Sequence, residues 1–138
     1  MKRIIVITMI VMTLVSCVKE NTPVVPLNDT VDDGATQQQM GNFINGAYGS
    51  VSGSAKVYQQ GNGYVLSLQN VSISNGPDLH VYIAKEIFPV NFIDLGSLRS
   101  TMGNQVYAIP GSPDFTQYKY ALIHCKKYDH LFGSAELQ

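Results

Sequence analysis

The sequence predicts an all-β protein: a single antiparallel β-sandwich-like domain of about seven short strands, following a signal peptide and a flexible tether. Three observations predict it. From Phe43 onward charge is sparse, while β-branched residues and tyrosines are common. Breaks rich in Gly, Asn or Pro recur about every 8–12 residues. No stretch carries an apolar period of helical type over ten or more residues.

The elements follow in chain order. Lys2 and Arg3 are followed by Ile4–Val15, an uncharged apolar run. That run is shorter than the about 20 residues needed to span a bilayer, and its positive start suits a secretory leader. It ends Leu14-Val15-Ser16-Cys17, which resembles the lipobox cut by the lipoprotein signal peptidase. Ser16 is small enough for the protease subsite, and Cys17 offers the thiol that takes a diacylglyceryl group. Residues 1–16 are therefore expected to be a lipoprotein signal peptide, with Cys17 as the lipidation site. A buried N-terminal strand or helix is the competing reading, but it would not set charges at the start and the cysteine at the boundary.

Residues 17–42 are expected to be the lipidated cysteine and a disordered tether. They hold Pro23, Pro26, Asp29, Asp32, Asp33, Gly34 and Gln37-Gln38-Gln39, with no periodicity of either kind. As a flexible coil this length has an end-to-end distance of roughly 25–30 Å. The expected location is the bacterial cell envelope, lipid-anchored to a membrane, the outer membrane on its periplasmic or surface face being the expected site. Two acyl chains suffice for stable anchoring.

Residues 43–138 form the expected domain, with strands near 49–59, 63–73, 78–85, 92–98, 104–109, 117–125 and 132–137. Gly61-Asn62-Gly63 signals a hairpin, because glycine and asparagine tolerate the positive φ of primed turns. Leu79, Val81 and Ile83 alternate with His80, Tyr82 and Ala84. Removing Lys2 and Arg3 from nine basic residues leaves seven against ten acidic ones, a net charge of −3. That balance is not a nucleic-acid footprint.

Cys125 is the one thiol left once Cys17 is lipidated. Two readings stand side by side: a buried thiol that packs as a small hydrophobe on a face with Lys119, Ala121 and Ile123, or a redox or metal-binding group. Lys126 and Lys127 would supply the electropositive setting a reactive thiolate needs. His124 is adjacent but points to the opposite strand face. Cys125-x4-His130 resembles the Cys-to-His spacing of some blue-copper proteins, with His80 as a second histidine, yet no methionine follows His130. A structural zinc site would need four ligands, and His124 faces away. Asp78 and His80 lie at i and i+2, where the carboxylate can orient the imidazole. No nucleophile elbow, paired-histidine zinc motif, phosphate loop or dinucleotide fingerprint is present, so no reaction class or cofactor follows from the residues.

Several segments together resemble the DM13 domain family. They are Val51-Ser52-Gly53-Ser54-Ala55, Gly76-Pro77-Asp78-Leu79-His80-Val81-Tyr82-Ile83, Leu95-Gly96-Ser97-Leu98 and Gly103-Asn104-Gln105-Val106-Tyr107-Ala108-Ile109-Pro110. Cys125-Lys126-Lys127 and Phe132-Gly133-Ser134-Ala135-Glu136-Leu137 complete the set. The resemblance covers about residues 48–137. It implies a compact β-sandwich-like domain and a proposed role in electron transfer, with the cysteine matching Cys125 as the suspected centre. Where the family often has an aromatic residue before the cysteine, this chain has His124. The resemblance also implies a separate redox or envelope protein partner, since no companion domain is evident. The alternative function is a non-enzymatic surface binding module for a protein or glycan, suggested by the eight tyrosines.

Overall fold

The computed structural model describes residues 21–138. The expected signal peptide and the lipidation site Cys17 lie outside the described residues. Nine strands are present: β1 (Leu27–Asn28), β2 (Thr36–Asn45), β3 (Val51–Gln60), β4 (Gly63–Ile73), β5 (Leu79–Ala84), β6 (Phe92–Ser97), β7 (Met102–Ile109), β8 (Tyr120–Cys125) and β9 (His130–Glu136). The described residues contain no helix. The all-β class is as expected, and the last seven strands fall near the expected ranges.

Two features differ from a seven-stranded sandwich. The strands form one continuous sheet in the order β1-β7-β4-β3-β2-β9-β8-β5-β6, and two more strands join it at the N-terminal side. β2 makes the continuity. Thr36–Asn42 pairs with β3, and Phe43–Asn45 then pairs with β9. The sheet curls, so that its two halves close on one core.

Bulges supply part of the bend. The registers slip between Ser52 and Ser54 and between Leu68 and Val71. Gly53 sits in the first slip at a φ of +98°, and Asn70 in the second at +51°. An extra residue in one strand increases local twist and bends it. At the β3–β4 turn Gly61 takes a φ of +61°, as a primed two-residue turn requires at its first position.

The inner faces of both halves form the core. Val57, Leu66, Leu68 and Ile109 come from one half, and Val81, Ile83, Ile123 and Ala135 from the other. A second, smaller cluster lies on the outer face of β5, β8 and β9, where Tyr82, Ala84, Leu122 and Leu131 are covered by Ile87. β5 and β8 are thus buried on both faces. That is why Val81–Ala84 and Ala121–Cys125 contain so little polarity.

The expected disordered tether over 17–42, with the domain starting at 43, is corrected for the described residues. β2 begins at Thr36. Before it, Leu27–Asn28 pairs in parallel with Gly103–Asn104. Asp29 accepts the Val106 N–H at 3.0 Å and pairs with Arg99. Further back, the Thr101 N–H donates to Pro23 O at 2.9 Å, and Asn21 bridges to Pro77. These residues join the sheet through backbone and polar bonds, and most of their side chains stay exposed. A polar segment held that way carries no hydrophobic period to announce it.

Candidate functional site

The candidate site lies where β8 ends and β9 begins. β8 delivers Cys125 to the end of the sheet, with Leu79 opposite it on β5 and His130 opposite it on β9. The tight turn Lys126–Asp129 closes the hairpin, and Asp129 takes a φ of +54° there. The spacing Cys125-x4-His130 is therefore that of a β-hairpin that sets the two residues side by side in register. The His130 ring is engaged elsewhere: it stacks on Tyr48 with centroids 3.6 Å apart and planes 3° from parallel.

Cys125 belongs to the core, 1% exposed, beside Ala121 and Ile123 on the inner face. Its thiol donates to Pro77 O at 3.0 Å. The loop 74–78 lies over it, tied down at several points. The Lys126 N–H donates to Asp78 O at 3.0 Å, and the Ser74 N–H to Ser50 O at 2.9 Å. Asn75 exchanges two bonds with Thr22, at 3.0 and 2.8 Å. The expected electropositive setting does not form at the sulfur. The Lys126 ammonium sits 3.5 Å from the Asp94 carboxylate, and Lys127 lies over the Tyr128 ring.

His80 points to the other face of the sheet from Cys125, as its neighbour Leu79 faces the core. The expected contact with Asp78 is present, with Nε2 3.0 Å from Asp78 Oδ1. The sequence does not reveal the second partner: Nδ1 lies 2.9 Å from Asp94 Oδ1, brought in by β6. Each ring nitrogen therefore faces a carboxylate oxygen, and neither is free to act as a general base in this arrangement. Burial works against ionisation of Asp94. The His80 bond, the Gly96 N–H and the charges of His80 and Lys126 outweigh it and hold the carboxyl below its ordinary 3.8. That contribution to stability is present above the ordinary value and lost as the pH falls through the lower, folded-state value. His80→Leu leaves two carboxylates facing an apolar group and is expected to cost about 1–3 kcal/mol at neutral pH. Urea unfolding measures it, and an unchanged midpoint would show that water already satisfies both carboxylates.

The outer face holds a group of residues that sequence reasoning did not assemble. Phe92 stacks on Tyr82 at 4.4 Å, and Tyr82 on His124 at 5.3 Å. His124 is 3% exposed, its Nε2 lies 2.8 Å from Asp129 Oδ1, and its Nδ1 has no hydrogen-bond partner. Tyr82 is pushed up to about 12, first by burial and then by the negative charges of Asp94, Asp78 and Asp129. The i, i+2 spacing of His80 with Tyr82, and of Leu122 with His124, was the available signal.

Cys125, His130 and His80 therefore do not converge on one point, and the copper and zinc ligand sets considered from the sequence are not assembled. Among the described residues no group of three or more His, Cys, Asp or Glu side chains is placed to hold a metal ion. What the arrangement offers is a buried thiol beneath a bonded loop, with a separate carboxylate–histidine–tyrosine cluster on the far side of the same strands.

Comparison with known proteins adds one positive finding. No curated protein and no solved structure matches the chain. A family model described as electron transfer DM13 matches residues 42–137, from the middle of β2 to the end of the last strand. On that match, which spans most of its length and includes Cys125 and the strands around it, the chain belongs to the DM13 family.

Proposed function

We propose that this chain is an extracytoplasmic lipoprotein, anchored through Cys17, whose DM13 domain serves as an electron-transfer accessory with Cys125 as its redox group. The observation that carries this reading is the electron-transfer family match over residues 42–137. Cys125 is also the only free cysteine among the described residues. The thiol does not act in the closed form of the loop. Burial and the bond to Pro77 O close off the sulfur, and a nucleophile or electron donor of this kind needs an approach path. The loop 74–78 must lift first, which breaks the Cys125–Pro77, Lys126–Asp78 and Asn75–Thr22 bonds. An oxidising or reducing protein of the envelope is the expected partner, and membrane attachment would confine both to one surface.

Thiol titration of the folded protein, with metal analysis, tests it. Cys17 as a thioether does not titrate. Opening a loop held by several hydrogen bonds costs about 4 kcal/mol, so Cys125 should react on the order of a thousandfold slower than in urea. Asn75→Ala removes two of the ties, and the rate should then rise by about tenfold. A thiol that stays inert in Asn75→Ala, in a protein without bound metal or cofactor, would leave Cys125 as a packing residue and end the redox reading.

A further inference from the structure

The register of the sheet defines two ends. One end carries the β3–β4 turn at Gly61-Asn62 and the start of β8 at Tyr120. The other carries the loop 74–78, the turn Lys126–Asp129 and the turn after Asn45, where the Tyr48 N–H bonds Leu131 O. Asn21 is at this second end, because it bridges to Pro77. The chain before Asn21 must leave from there.

That exit changes the reach of an N-terminal anchor. Four residue steps separate Cys17 from Asn21. Fully extended, they span at most about 14 Å. A lipid on Cys17 would hold this end of the domain within that distance of the headgroups.

The same end exposes apolar and aromatic side chains. Tyr128 at the hairpin turn is 55% exposed and Tyr48 59%. Phe88 and Val90, 78% and 79% exposed, share a crevice of about 220 Å³ with Tyr48 and Asp129. Exposed aromatic side chains suit the boundary between headgroups and acyl chains. The charges nearby are mixed: Lys126 and Lys127 against Asp129 in the same turn and Asp78, whose carbonyl accepts the Lys126 N–H. Contact at this end therefore does not depend on anionic lipid.

We propose that this end of the domain, centred on Tyr128, Tyr48 and Phe88, lies on the surface of the membrane that holds the lipid anchor. This rests on the lipidation of Cys17 proposed above. It also sets the loop over Cys125 at the membrane face, since Pro77 belongs to the same end.

The test uses the full lipidated chain in phosphatidylcholine vesicles, with acyl chains brominated to quench tryptophan. The chain has no tryptophan of its own, so single reporters at exposed positions give a clean signal. Tyr128→Trp and Phe88→Trp should each lose about half of their emission. Asn62→Trp, at the opposite end, should lose none. Protein that floats with the vesicles while all three reporters emit equally would overturn the docking and leave the anchor standing, with the aromatic end free for a protein or glycan. Protein that fails to float would remove the anchor and the docking with it.

Discussion

Replacing Gly41 by valine is expected to destabilise the domain by about 3 kcal/mol, at the upper end of what overpacking usually costs. A Cβ on Gly41 would lie 2.1 Å from the carbonyl oxygen of Glu136 and 2.7 Å from its carbon. Both are backbone atoms and cannot swing away. The contact is tight because β2 changes partners here. Asn42 is its last residue paired with β3, and Phe43 its first paired with β9. Next to the glycine, Met40 and Gln138 exchange two backbone bonds, at 3.1 and 2.9 Å. Relief would require β2 to part from the end of β9, which would open the curl. Urea unfolding at constant slope measures the loss. A change below about 0.5 kcal/mol, the usual size for an exposed site, would mean that β2 is not packed as described.

Phe132→Ala is expected to cost about 3–5 kcal/mol, as for other buried aromatics reduced to a methyl group. The Phe132 ring is 7% exposed and is gripped by two turns. A Cβ on Gly49 would come within 2.5 Å of its Cδ2, and one on Gly76 within 2.5 Å of its Cζ. Both turns close over the ring because neither residue has a side chain. Emptying that space takes the floor from beneath Gly76-Pro77, the stretch whose carbonyl receives the Cys125 thiol. Two readouts should therefore move together: the unfolding midpoint should fall, and thiol modification under native conditions should accelerate. A fall in stability with an unchanged thiol rate would show that Phe132 supports the core without supporting the loop.

The candidate site was partly legible in the residues. Asp78 and His80 share one face of β5, and an i, i+2 pair on a strand is visible in any sequence. Asp94 was not, because it reaches His80 through the pairing of β6 with β5, fourteen residues away and with a register slip between His80 and Tyr82. Cys125 was correctly placed with Ala121 and Ile123. Whether the thiol could be reached depended on the loop 74–78, which the N-terminal residues Asn21 and Thr22 hold from the far end of the chain. Lys126 and Lys127 looked like activating charges only because sequence adjacency says nothing of where a long side chain ends.

The sequence by itself determined the all-β class, the seven strands from Val51 onward and the inner face of β5, since alternating or continuous burial leaves its mark in local composition. It also carried the family, through short segments whose glycines, cysteine and aromatics survive as a pattern in one dimension. Only the tertiary structure decided that residues 21–42 are part of the domain. β2 enters the sheet through backbone hydrogen bonds that leave no hydrophobic period, and Gln37 and Gln38 remain exposed. Only the tertiary structure, too, decided that Cys125 is covered and that His80 lies across the sheet from it. Those facts follow from the curl that folds one sheet onto itself, and a curl is set by contacts between residues far apart in the chain.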